Sequence, residues 1–143
     1  NITHLIPSLQ AVIEGKRSQF TIRGADHSTP DGTAIRDYTH VWDIADAHIK
    51  ALEYLGQAGS SDIINIGGGD PKSILEMFTE YQLQAGTAIT VNLGSARPGD
   101  VACNYTDNSR AKTILNWEPK RSDKETIIRD ALRWYASDTY KAI

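Results

Sequence analysis

The chain has 143 residues, 40% apolar and 23% charged, with a formal net charge of −3. That length holds one domain, and the apolar share is enough for a core, so disorder is excluded as the default. The acidic balance argues against a nucleic-acid binder, no apolar run approaches the ~20 residues of a membrane span, and no signal-peptide pattern opens the chain, which leaves a soluble cytoplasmic protein as the expectation.

The first residue is Asn1 rather than Met, and Leu5, Ile6, Leu9, Val12 and Ile13 recur at helical spacing from the first turn. The chain therefore reads as starting inside a longer protein. Gly15-Lys16-Arg17 is a helix stop, and Phe20-Thr21-Ile22 is a short strand ended by Gly24. A polar loop over 24–34 precedes Ile35-Arg36-Asp37-Tyr38; loops of this length are often functional. Asp43 is expected to cap a helix with the stripe Ile44, Ala47, Ala51, Leu52 and Leu55, closed by Gly56. Ile63, Ile64 and Ile66 predict a buried strand leading into Gly67-Gly68-Gly69.

Ser73 and Glu76 form a capping-box signature ahead of Ile74, Leu75, Met77, Phe78 and Tyr81. Ile89, Val91 and Leu93 alternate as a strand, and Arg97-Pro98-Gly99-Asp100 predicts a turn. Asn108 or Ser109 starts a short helix through Ala111, Ile114 and Leu115. Ser122 with Glu125 opens the last helix, which carries Ile127, Ile128, Ala131, Leu132 and Trp134. The sum is one mixed α/β domain. The single cysteine, Cys103, excludes a disulfide framework; it reads as a small buried residue, with a reactive thiol as the alternative.

Candidate chemistry is sparse. The turn Gly67–Gly69 lacks the third glycine of a dinucleotide fingerprint, since Lys72 stands there, and no P-loop follows; a tight strand-to-helix turn is the plainer account. His40, Asp43, Asp46 and His48 cluster in sequence, yet their spacing on a helix does not converge on one metal, so no metal is expected. Arg36 and Arg97 are each followed closely by an aspartate, Asp37 or Asp100. An arginine fork suits a diphosphate and an aspartate suits ribose hydroxyls, which would make a nucleotide-sugar clamp. Solvent-exposed salt bridges are the alternative.

At these residues the sequence becomes recognisable. The segment from Asp31 to His48, with Asp31-Gly32-Thr33, Arg36-Asp37-Tyr38, His40-Val41 and Asp43, resembles the D-G-T-x-x-R-D-Y-x-H-V-x-D-x-A-x-x-H segment of UDP-glucose 4-epimerases. The resemblance continues through Asn65-Ile66-Gly67-Gly68-Gly69, Ser73, Glu76, Arg97-Pro98-Gly99-Asp100, Ser109-Arg110-Ala111-Lys112 and Leu115-Asn116-Trp117. His4-Leu5-Ile6-Pro7 looks like the start of the same region.

The resemblance implies an extended short-chain dehydrogenase/reductase, an isomerase of galactose metabolism acting in the cytoplasm as a homodimer. It implies NAD in an N-terminal Rossmann domain that is not in this sequence. Residues 1–143 are then the smaller C-terminal domain, which holds the UDP-hexose while C4 is oxidised and re-reduced. No tyrosine here has lysine four residues on, as the family's Tyr-x-x-x-Lys motif requires. The resemblance therefore implies the substrate half without catalytic residues, and a chain inactive by itself.

By position in the motif, the resemblance implies Arg36 and Arg97 on the UDP diphosphate and Asp100 on the uridine ribose. Leu5 and His4 are implied beside the phosphates, and the backbone of Thr21, Ile22 and Arg23 against the uracil. Asn104 is implied near the hexose, where a small residue leaves room for a bulkier 2-substituent. His4 stands where many members have Asn, and Arg23 where many have Phe. On their own merits, His4 reads as a partly buried helix residue and Asn104 as a residue satisfying strand ends. Three readings follow: the substrate domain of a UDP-hexose epimerase, that of another nucleotide-sugar enzyme such as a decarboxylase or dehydratase, or a stand-alone sugar-nucleotide-binding or dimerisation module.

Overall fold

A computed structural model describes residues 3–58 and 60–142, without the side chain of Ala58. Asn1, where the chain opens, lies outside the described residues. The apolar spacing of the first segment forms α1 (Leu5–Ile13), and Gly15, at φ +70°, ends it where the stop was expected. β1 (Phe20–Arg23) buries Phe20 and Ile22 and turns Thr21 and Arg23 outward. It pairs in parallel with β4 (Val91–Gly94). A second sheet is built from two-residue strands: β2 (Ile35–Arg36) is antiparallel to β3 (Lys72–Ser73) and parallel to β5 (Cys103–Asn104). The helices α2 (Val41–Ala58), α3 (Ile74–Ala85), α4 (Ser109–Leu115), α5 (Lys124–Ala136) and α6 (Asp138–Lys141) complete a mixed α/β fold. Among the described residues no helix is long and apolar enough to cross a membrane.

Two cores hold these elements. In the larger, Leu9, Ile22, Met77, Phe78, Tyr81 and Ile128 bring α1, β1, α3 and α5 together, with Phe20 stacked on Phe78 at 6.0 Å. Tyr81 is fully buried, and its hydroxyl donates to Gln10 Oε1 at 2.6 Å, which satisfies a polar group that would otherwise cost about 1–3 kcal/mol. In the smaller, Ala47, Ala111, Leu115 and Trp117 join α2 to α4. The predicted capping box is present: Ser73 Oγ accepts from Glu76 N, and Ser73 N donates to Glu76 Oε2 at 2.8 Å. Gly86 then closes α3 at φ +62°.

Several expectations are corrected. Asp43 does not cap α2, which begins at Val41 and runs past Gly56. Its carboxylate, in a residue only 4% exposed, instead accepts from Lys120 N at 3.0 Å, Arg121 N at 2.9 Å and Ser122 Oγ at 2.6 Å. Ser122 is therefore not the cap of α5; Asp123 is, accepting from Thr126 N at 2.8 Å. Residues 61–66 form no strand, and Ile63 is 87% exposed. Alternation can suggest a strand, but pairing requires a neighbouring ladder, and none among the described residues adjoins this segment. Cys103 is exposed, because β5 places it at the edge of a small sheet.

Burial alone would raise the Asp43 carboxyl, but the bonds from Ser122, Lys120 and Arg121 and the nearby His40 outweigh it and hold it below the ordinary value. Asp31 is lowered in the same way, with Ser73 and Thr33 overcoming its burial. A folded-state value below the unfolded one stabilises above the ordinary carboxylate range and loses that contribution as pH falls through the folded value. Circular dichroism during acid titration should thus show stability declining below about pH 4. Asp43→Asn should be about 2 kcal/mol less stable at pH 7, with a shallower acid limb, because it leaves amide donors poorly satisfied.

Candidate functional site

Arg36 is fixed by register. It stands opposite Lys72 on β3 and Asn104 on β5, and its Nη1 donates to the Ile35 carbonyl at 2.7 Å, leaving most of its five donors unused. Arg97 is fixed by its turn. Asp100 N donates to the Arg97 carbonyl at 3.0 Å, Gly99 adopts φ +87°, and Pro98 supplies the restricted second position, the pattern of a type II turn. Asp100 Oδ2 also accepts from Arg97 N at 3.2 Å, so its carboxylate is anchored while its other oxygen remains available.

These two arginines line one cleft of about 340 Å3, formed by the start of α1, β1, β2 and the 97–100 turn. His4, Leu5, Thr21, Ile22, Arg23 and Asp100 line it as well. Asn104 does not; it sits beside Arg36 in strand register at the end of β5. His4 is exposed at the N-cap of α1 with no side-chain cap bond, not half-buried within the helix. Tyr38 and Ile74 also line the cleft, and sequence reasoning missed both. The signal for Tyr38 was available: Ala34, Arg36 and Tyr38 alternate onto one face. Burial pushes the Tyr38 phenol up to about 12 against the opposing pull of Arg36, so at neutral pH it is a hydrogen-bond donor.

Among the described residues neither Arg36 nor Arg97 has an ion-pair partner. Asp37, the neighbour suspected of pairing with Arg36, instead accepts from Gly68 N at 2.8 Å and Thr106 N at 3.2 Å. The salt-bridge alternative therefore fails for Arg36. Two guanidiniums without ion-pair partners in a shared concavity suit a polyanion.

The other sequence candidates are structural. His40 Nδ1 accepts from Trp42 N at 3.1 Å and its Nε2 lies 3.4 Å from Asp130, Asp43 holds the 120–122 segment, and exposed His48 lies 2.8 Å from the Ile44 carbonyl. They do not converge. At the glycine turn, Gly67 N donates to Asn108 Oδ1 at 2.8 Å and Gly68 N to Asp37. A Cβ on Gly67 would run into the Asp37 carboxylate, and one on Gly68 into the Tyr38 carbonyl. Close internal packing, rather than an approaching phosphate, requires these glycines.

Residues 1–67 match the model of the NAD dependent epimerase/dehydratase family. Over 135 residues, 94% of this chain, the sequence is 38% identical to the UDP-glucose 4-epimerase of Bacillus subtilis strain 168. The chain is homologous to the UDP-glucose 4-epimerases. It superposes with a TM-score of 0.92 on the Stenotrophomonas maltophila enzyme crystallised with NAD and formylated UDP-arabinopyranose, at 32% identity over 99% of this chain and 42% of that one. The Bifidobacterium longum enzyme in complex with NAD+ and UDP gives 0.82 at 30% identity, covering 95% and 40%. The chain spans about 40% of the length of the Bacillus relative.

NAD is the cofactor of these homologous epimerases. The glycine-rich turn of the described residues does not fit it: the amides of Gly67 and Gly68 are bonded internally and the space beside their α-carbons is filled by Asp37, Thr106 and Tyr38. Gly68→Ala tests that packing. The new methyl must displace the Tyr38 carbonyl, so the melting temperature should fall by several degrees, corresponding to about 2 kcal/mol, in a thermal scan.

Proposed function

We propose that these 143 residues are the UDP-sugar-binding domain of a UDP-glucose 4-epimerase, the part that holds UDP-glucose or UDP-galactose while the sugar is inverted at C4. The observation that carries this reading is the meeting of Arg36 and Arg97, far apart in sequence, on one cleft without carboxylate partners. Their forks take the diphosphate, with Leu5 and His4 flanking the phosphates. Asp100 accepts from the ribose through the carboxylate oxygen not anchored to Arg97 N. The backbone of Thr21 to Arg23 faces the uracil. Asn104, next to Arg36 on β5, faces the hexose end, and its small side chain leaves room at C2.

Binding here supplies orientation, which holds the reacting carbon in place and excludes alternative poses. It does not supply proton or hydride transfer, because no tyrosine in the chain has lysine four residues on and no glycine turn cradles a dinucleotide. Other nucleotide-sugar enzymes would use the same diphosphate clamp, so the clamp identifies the ligand class and the epimerase homology selects the reaction.

Two measurements test this. UDP binding by ligand-observed NMR should weaken about tenfold to a hundredfold in Arg36→Ala and in Arg97→Ala, since each charge-assisted contact contributes roughly 1.5 to 3 kcal/mol. Asp100→Ala should lose less, because water can replace a bond to a neutral hydroxyl. Parent-like UDP affinity in both arginine variants would sink the clamp. Separately, the purified 143 residues with added NAD should not interconvert UDP-glucose and UDP-galactose, and any steady turnover refutes the assignment of binding without chemistry.

A further inference from the structure

The polar loop over 24–34, whose length suggests a function, places none of residues 24–33 in the cleft, yet it touches the segment that carries Arg97. That segment is fastened at its two ends: the Gly94 carbonyl accepts from Gly24 N at 2.9 Å, and the Ala102 carbonyl from Ile35 N at 2.8 Å. Between them the turn closes on itself, through Asp100 N to the Arg97 carbonyl and Arg97 N to Asp100 Oδ2. Among the described residues no hydrogen bond or ion pair joins 95–101 to the rest of the molecule, and every one of these residues is exposed.

What steadies this turn is a side-chain contact. Gly24 follows the last residue of β1 at φ +75°, and a Cβ there would strike His27 Nε2 and lie 3.2 Å from Ala96 Cβ. The imidazole and the Ala96 methyl group thus share the space over the Gly24 α-carbon, one residue before Arg97. His27 is itself held in place. Its N donates to the Gly32 carbonyl at 2.9 Å, its carbonyl accepts from Thr29 N at 2.8 Å, and Asp31 of the same loop is bonded to Thr33 and Ser73. Its Nε2 is buried with no hydrogen-bond partner among the described residues. An unpaired buried nitrogen is a cost, so what the imidazole contributes over Gly24 is the volume of its flat ring. We propose that His27 is a positioning residue for UDP-sugar binding: its ring is the wedge that holds Ala96, and through it the Arg97 guanidinium, toward the cleft. This rests on the diphosphate clamp proposed above. Without the wedge the exposed turn pivots about its two fastened ends, and Arg97 has to be ordered each time the ligand arrives, which weakens binding.

The test measures UDP binding to the 143-residue chain by ligand-observed NMR for the parent, His27→Ala, His27→Phe, Arg97→Ala and the double variant His27→Ala with Arg97→Ala, with circular dichroism to confirm folding. His27→Ala should weaken UDP about fivefold, the order of the cost of immobilising one long side chain. In the Arg97→Ala background the same change should cost less than about twofold, because a residue that acts through another has nothing left to act on. His27→Phe keeps a flat ring of similar size and should bind within about twofold of the parent. An unchanged affinity in His27→Ala overturns the proposal. An equal loss with and without Arg97 also overturns it, making His27 a residue of the fold alone, as does a His27→Phe variant as weak as His27→Ala. A parent that does not bind UDP overturns the clamp itself, and this inference falls with it.

Discussion

Three aspartates at 31, 37 and 43 tie one short stretch of chain to the rest of the molecule, and the placement of the cleft depends on them. Asp31 binds Thr33 within its own loop and Ser73 at the start of α3. Asp37 receives the amides of Gly68 and Thr106. Asp43 receives two amides and a hydroxyl from 120–122, 77 to 79 residues away. A carboxylate accepting several N–H bonds is among the stronger neutral-pH fasteners available to a small domain, and each amide it satisfies would cost about 1–3 kcal/mol if orphaned. The strands β2, β3 and β5 are only two residues long and could not hold their register by ladder bonds alone. The aspartates supply the missing constraint.

This arrangement explains the charge of the cleft. Arg36 lies between two of the clamped aspartates, and both turn their carboxylates toward backbone amides and hydroxyls instead of toward it. An arginine next to Asp37 in sequence is thereby left unpaired in space, which costs little at a half-open surface and makes the site attractive to an anion. Arg97 reaches the same result by another route. The turn that holds it engages Asp100 through the backbone, so the guanidinium is not neutralised by the nearest carboxylate. Asp31 and Asp37 are committed to the fold, and Arg36 and Arg97 are left without ion-pair partners among the described residues.

The features legible in sequence were those whose causes are local. Gly15 as a stop, the Ser73–Glu76 box and the Arg97–Asp100 turn each follow from residues within four positions of one another, and all three are present. What could not be read depends on distant partners. β3 and β5 exist only because β2 lies between them, and α6 continues directly from the cap of α5 at Ser137. Asp43 and Ser122 looked like caps because cap residues and buried acceptors are the same residue types; only the fold decides which use prevails. The arginines were legible as a pair through resemblance, while Tyr38 and Ile74 entered the cleft beside the short strands β2 and β3, at the start of α3.

The two cores divide the labour unequally. The cleft is walled by α1, β1, β2 and the start of α3, and of these α1, β1 and α3 contribute to the larger core, so one side of the cleft rests on the best-packed part of the molecule. Among the described residues the smaller core buries only Ala47, Ala111, Leu115 and Trp117, and the buried Trp117 indole nitrogen has no hydrogen-bond partner there. Around it α2 is apolar on more than one face, with Leu52 70% exposed and Ile63 of the neighbouring extended segment exposed further still. An amphipathic helix gains stability by burying one stripe; a helix with a second, open stripe forgoes that gain for half its surface. Local opening is therefore cheapest at 61–66, which belongs to no helix or strand and leaves Ile63 exposed. The Asp43 clamp lies on the first turn of α2 and ties that turn to residues 120–122.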